Sequence, residues 1–192
     1  MKILLTLFFL LFSSSVLAED ISDFQLEGIS IGDSALDFFS EKEIIKGIKD
    51  YGYKDNSFVE VEIYQDPSFK IYENIQIAIK ANDKKYIIYK LVGFNFEDNA
   101  FLKCFKKVDK ISEEISLIFK NATKDSYERP HRADPTGESK IKAVDFWLES
   151  GGLVGVECYD WSEEFTKKNN WLDNYSVYFM SEEYLYWLNN KS

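Results

Sequence analysis

A change of hydrophobic period constrains the fold of this chain more than any other feature. Val59, Val61 and Ile63 alternate with Glu60 and Glu62, and Ile75, Ile77 and Ile79 repeat the pattern after Asp66-Pro67. Successive side chains of a strand point to opposite faces, so a period of two requires a half-buried strand. Asn82-Asp83 separates the second run from Tyr86 to Phe96, a longer stretch rich in β-formers. So short a break favours a hairpin, hence antiparallel pairing.

Residues 98–119 then change to three- and four-residue spacing. Phe101, Cys104, Phe105, Val108, Ile111, Ile115, Ile118 and Phe119 make one apolar stripe, opposite Lys103, Lys106, Lys107, Lys110 and Glu114. That is an amphipathic helix, with Asp98 as its candidate cap. Strands resume with Val144, Phe146 and Leu148, turn at Ser150-Gly151-Gly152, and continue with Val154, Val156 and Cys158. Tyr175, Val177 and Phe179 predict a last strand, followed by a short amphipathic tail at Leu185 and Leu188. Upstream, residues 19–31 read as an extended lead-in, and Asp33 or Ser34 can cap a short helix holding Ala35 to Phe39. Ser40 with Glu43 is a capping box for a second short helix over Ile44, Ile45 and Ile48.

The expectation is therefore one α+β domain over residues 19–192. Its antiparallel sheet has about six strands with helices packed on it. The order of elements allows two helix-plus-three-strand units. Residues 121–140, with two of the three prolines, read as a long irregular segment. Loops of that length are usually functional or disordered.

The first eighteen residues predict where the protein works. Met1-Lys2 is a basic start, Ile3 to Phe12 an apolar run, and Ser13 to Ser15 precede Val16-Leu17-Ala18. This order of parts is a secretory signal peptide, with the cut expected after Ala18 and a periplasmic or secreted product. The run is too short to span a bilayer, so no membrane span is expected once it is removed. Net charge is −10, with 33 acidic against 23 basic residues. Such a balance repels phosphate backbones, which excludes nucleic acid as a partner class. Aromatics at 17% exclude a disordered acidic chain.

Cys104 and Cys158 are the only two cysteines. In an oxidising compartment such a pair reads as a disulfide. One sits on the inward stripe of a helix and the other on the inward face of a strand. Two separate buried thiols are the alternative. With a single histidine, His131, the pair is too small a set for a Cys/His zinc site. No metal or other cofactor is expected.

Three constellations invite chemistry. Gly32-Asp33-Ser34 is similar to the Gly-Asp-Ser block of SGNH-type hydrolases, which implies Ser34 as nucleophile and His131 as base. The further glycine and asparagine blocks of those enzymes are not recognisable, and a helix cap explains Asp33 and Ser34 without chemistry. Arg129, His131 and Arg132 make the long loop a local positive spot, where Arg can fork an anionic group. The plainer account pairs the arginines with Asp125, Glu128 or Asp134. Cys158-Tyr159-Asp160-Trp161-Ser162-Glu163-Glu164 is the densest aromatic and acidic cluster, and Tyr159 and Trp161 point away from Cys158. Exposed together with Trp171, they form a stacking surface for a sugar or a groove for a partner. Otherwise they seal the core edge.

Glu27-Gly28-Ile29-Ser30-Ile31-Gly32-Asp33-Ser34, Phe39-Ser40-Glu41-Lys42-Glu43-Ile44, and Cys104 with Cys158-Tyr159-Asp160-Trp161-Ser162 carry a wider likeness. On these stretches the chain resembles a group of exported proteins of marine alphaproteobacteria of the Pelagibacter type. The resemblance implies an address and a shared fold, and no chemistry. The functional expectation is a non-enzymatic binding or interaction module with an unknown protein, small-molecule or glycan partner. The alternative is a small hydrolase using Ser34 and His131.

Overall fold

The structure, a computed structural model, describes residues 20–64, 66–96 and 101–190. The expected signal peptide, the cut after Ala18 and the Asp98 cap lie outside them.

Ser40 starts the first regular element as its pattern requires. Its Oγ accepts the Glu43 N–H at 3.3 Å, while the Glu43 carboxylate accepts the Ser40 N–H at 2.8 Å. This box begins α1 (Glu41–Gly47), which leads directly into the two-residue strand β1 (Ile48–Lys49). The alternating runs become β2 (Phe58–Tyr64), β3 (Asn74–Lys80) and β4 (Ile88–Phe96), paired as an antiparallel meander. The amphipathic stretch is α2 (Phe101–Ile118). After it come β5 (Thr123–Pro130), β6 (Lys140–Trp147), β7 (Leu153–Asp160), the short helix α3 (Glu163–Asn169), β8 (Asn174–Met180) and α4 (Glu182–Asn190). The short helix expected from Ser34 is a single 3₁₀ turn, Ala35–Asp37, with the Ser34 hydroxyl as its cap.

Among the described residues, eight strands form one sheet in the order β1-β2-β3-β4-β8-β7-β6-β5. Two meanders thus meet at β4 and β8, and each is preceded by a helix. The expectation of about six strands falls short by β1 and β5. The expected unit of three strands per helix becomes four. β5 was hidden inside the stretch expected to be irregular, because Thr-Lys-Asp-Ser-Tyr-Glu-Arg-Pro has no apolar face. Hydrophobic period reports burial, and an edge strand exposed along most of its length supplies none. The true loop shrinks to residues 131–139.

One face of the sheet carries the core. Val61, Ile75, Ile77, Leu91, Val154, Val156 and Phe179 share one core with Cys104, Phe105, Val108 and Ile115 of α2, which lies over β6, β7 and β8, while α1 lies against β2. The lead-in adds Ile21, Phe24, Leu26, Ile29 and Ile31 to that layer, with Phe24 and Phe119 ring centroids 4.2 Å apart. It is less extended than its irregular spacing suggests. It contains a 3₁₀ turn at Ile21–Asp23 and a tight turn at Glu27-Gly28, both with positive φ. The Glu27 carboxylate crosses to the β2–β3 connection and accepts the N–H groups of Lys70, Ile71 and Tyr72 at 2.9, 2.6 and 2.8 Å.

Cys104 and Cys158 are joined, with Cα atoms 5.9 Å apart across a sequence separation of 54. The helix-to-sheet disulfide expected from their inward faces is present. The opposite face is covered at one end by α4, whose Tyr184, Leu185 and Trp187 are buried. Elsewhere it is roofed by its own side chains. Tyr178 lies flat across Gly155, so close that a Cβ at 155 would sit 2.3 Å from the Tyr178 ring carbon Cζ. Gly155→Ala should therefore destabilise the protein by about 2 kcal/mol, the usual scale for overpacking. A urea midpoint equal to that of the unaltered protein would refute this account of Gly155.

Candidate functional site

At one end of the sheet β7 runs out and the chain gathers its aromatic residues. Tyr159 is the penultimate residue of β7, Trp161 follows the strand, Phe165 lies on α3, and Trp171 lies between α3 and β8. The Tyr159 and Trp161 rings are stacked within 6° of parallel at 5.6 Å, and Trp161 and Phe165 within 15° at 5.2 Å. Trp171 stands edge-on to Trp161 and Phe165 at 4.8 and 5.3 Å. His131 stands edge-on to Trp161 and Tyr159 at 4.4 and 5.3 Å. Offset stacks and edge-to-face contacts are the arrangements that aromatic quadrupoles favour. Trp171 keeps 44% of its surface exposed, and the other four rings are half-buried. A cleft of about 490 Å³ opens here, lined by Trp171, Phe165, Thr136, Ser162, Lys168 and Asn169 among others.

Asp134 holds the loop wall of this corner. Its carboxylate accepts Thr136 N–H at 2.9 Å, Thr136 Oγ1 at 2.7 Å, Ser139 N–H at 3.1 Å, the Ser139 hydroxyl, and Ser162 Oγ at 3.1 Å. These donors favour the ionised form and hold the carboxyl well below the usual range. So fully engaged a group is a structural knot between the loop and α3. Ser162 caps α3 by accepting the Phe165 N–H at 3.3 Å, and Asp173 accepts the Trp161 N–H at 2.8 Å. Burial, with Asp173 nearby, pushes the Asp160 carboxyl up to about 6. Burial and the neighbouring Arg129 lower His131, so its imidazole is neutral at neutral pH, and Nδ1 accepts the Ala133 N–H at 3.1 Å.

Of the site residues expected from the sequence, His131, Tyr159, Trp161 and Trp171 come together. Arg129 lies on β5, not in a loop, with its guanidinium 5.1 Å from the Tyr127 ring centre. Arg132 is exposed on the loop. Among the described residues neither arginine forms an ion pair with Asp125, Glu128 or Asp134, and Asp134 is occupied as described. Ser34 and His131 are not brought together. The Ser34 hydroxyl donates to the Lys85 carbonyl at 2.7 Å and accepts the Leu36 N–H at 3.2 Å. Ser34 bridges to Ile87 at the sheet end near Met180 and Leu153, whereas His131 stands beside Tyr159 at the other end. Six residues of strand, roughly 20 Å, separate those two rows.

Phe165 was missed because α3 is too short for a stripe. Its available signal was the Ser162 cap three residues earlier. A second missed feature lies on the far face of the sheet. Ser176 Oγ donates to Glu157 at 3.1 Å, and the Tyr178 hydroxyl donates to Asp145. Burial pushes the Glu157 carboxyl up to about 7 and raises Asp145 as well. On the same face Lys90 reaches Glu60 at 3.1 Å and Gln76 at 2.8 Å, and the Tyr184 hydroxyl also donates to Glu60. Comparison with protein families, curated proteins and solved structures finds no match to this chain, so the functional reading rests on this geometry.

The raised Glu157 group sets a pH dependence. The native state holds a proton that the unfolded chain releases in the ordinary glutamate range. Stability therefore falls as pH rises from that range to about 7. Glu157→Gln should be more stable than the unaltered protein at about pH 8 and indistinguishable from it near pH 4. Urea midpoints across that interval test this, and a difference independent of pH would contradict it.

Proposed function

We propose that this chain is an exported, non-enzymatic binding module of the periplasm or cell envelope, holding a glycan or similar ring-bearing ligand against its aromatic corner. The observation that carries the reading is the stacked run Tyr159–Trp161–Phe165 beside an open cleft with Trp171 exposed at its wall. Rigid rings offer contact area at little entropic cost, and the apolar face of a sugar ring stacks on them. The rest of the lining suits a hydroxyl-rich partner: Thr136, Ser162 and Asn169 stand beside one base, Lys168, and two acids, Glu164 and Asp134, the second already occupied by its own donors. The corner also fits a protein partner, which becomes an outcome of the test.

Several observations support the address. The disulfide is compatible with an oxidising compartment. No helix among the described residues is long and apolar enough to cross a membrane. The likeness to exported alphaproteobacterial proteins points the same way. Intact mass of the protein recovered from the periplasm should begin at Glu19 and show one disulfide, and a retained Met1 would refute the cleavage.

Ligand class is tested by titrating an oligosaccharide panel against tryptophan fluorescence. Trp171→Ala should weaken binding about tenfold, the scale of one lost ring contact, while the protein stays folded with a urea midpoint lowered only by the loss of its contacts with Trp161 and Phe165. Binding unaffected by that substitution would move the site elsewhere. Capture of a protein, with no glycan bound, would replace the ligand class.

A further inference from the structure

The two edges of the sheet differ sharply. One is β1, two residues long, and the other is β5, eight residues long and paired among the described residues only with β6. An uncovered strand of that length is a template for another strand, and proteins usually blunt it. The β5–β6 register runs without a bulge, and the only proline is the last residue of the strand.

Which backbone groups face outward follows from the ladder. The His131 N–H donates to the Ser139 carbonyl at 2.8 Å, extending the register in which Pro130 faces Lys140. In an antiparallel pair the inward-bonded residues alternate. Arg129, Tyr127, Asp125 and Thr123 therefore bond to β6. The N–H and C=O groups of Lys124, Ser126 and Glu128 point away from it. Pro130, which has no N–H, also falls at an outward position, where it costs the ladder nothing.

The outward residues are self-complementary. We infer that β5 pairs with β5 of a second copy, antiparallel, about a two-fold axis at Ser126. In that register Ser126 faces Ser126 of the other copy, and Lys124 faces Glu128 twice. Every outward N–H of the strand then finds a carbonyl, and pairing stops where Pro130 has no donor to offer. Opposite charges directly across a ladder stabilise it, and like charges destabilise it. The exposed charges that would normally guard the edge thus leave two registers, this one and one about Tyr127 that sets Asp125 against Arg129, and the Arg129 guanidinium is already turned onto the Tyr127 ring at 5.1 Å. Moving the axis to Asp125 sets Asp125 against Asp125. Moving it to Glu128 sets Glu128 against Glu128 and Lys124 against Arg132. The contact is isologous and closed, so it gives a dimer with one continuous sheet and not a filament.

The test is sedimentation of the protein purified after export, over a concentration series at low salt, since exposed ion pairs are screened. A dimer is expected. Lys124→Glu and Glu128→Lys should each weaken it by about tenfold, because each turns two facing pairs repulsive. The double variant should restore it. Ser126→Pro removes an outward donor without touching the β6 ladder, and should abolish the dimer while circular dichroism stays unchanged. A monomer at every concentration, single reversals without effect, or a double variant no tighter than either single one overturns the inference. Sensitivity to Asp125→Arg and Arg129→Asp in place of the first pair would overturn the register, since that pattern belongs to an axis at Tyr127.

Discussion

The pairing of β4 with β8 joins two otherwise separate meanders. Lys90 through Phe96 lie against Asn174 through Met180, whereas the other full-length pairings link strands that are neighbours in sequence. β7 and β8, with only α3 between them, count among those neighbours. The β4–β8 contact closes a loop of about eighty residues, whose entropy must be overcome before any pair in it forms. Leu91 and Phe179 face each other at this joint, both in the main core, so burial of one apolar row stabilises the closure. The disulfide acts inside the second half only, tying α2 to β7. It fixes the helix over the strand that carries the aromatic corner.

Much of this was legible because burial and hydrogen bonding coincide in the central strands. Val59, Val61 and Ile63 declare β2 because one face is apolar and the other carries Glu60 and Glu62, although Glu60 is buried as well. Cys104 and Cys158 were placed correctly because each sits within an apolar pattern whose inward side is unambiguous. Where the two signals separate, the sequence is silent. β5 is fully hydrogen-bonded on one side and wet on both faces, so it reads as a loop. α3 has one apolar residue in seven and depends on its cap. Glu157 sits between Val156 and Cys158 as any outward residue would, and nothing local announces that tyrosines close over it.

That closure explains how the sheet manages without helices on half of its second face. Tyr178 lies across Gly155 to reach Asp145, and burial raises the Tyr159 and Tyr178 hydroxyls far above their ordinary range. Long polar side chains here form a layer of their own. They leave carboxylates in a medium that favours the neutral acid. The aromatic corner is the outer margin of this layer, since Tyr159 belongs to both. Its rings are held by strand, helix and loop together, and so are set before a ligand arrives.

The Glu27 carboxylate has a consequence for how the two meanders are held together. Its three backbone donors lie on the connection between β2 and β3, and the Gly32 N–H bonds the Ile88 carbonyl at the start of β4. Phe24 rests on Phe119 and faces Phe179 at 6.3 Å, the latter in the last strand. The segment that is synthesised first among the described residues has every one of its partners downstream. Glu27 and Gly32 hold the first meander, while Phe24 holds the helix end and last strand of the second. The N-terminal strap therefore spans the β4–β8 joint within the core layer, a second clasp between the two halves.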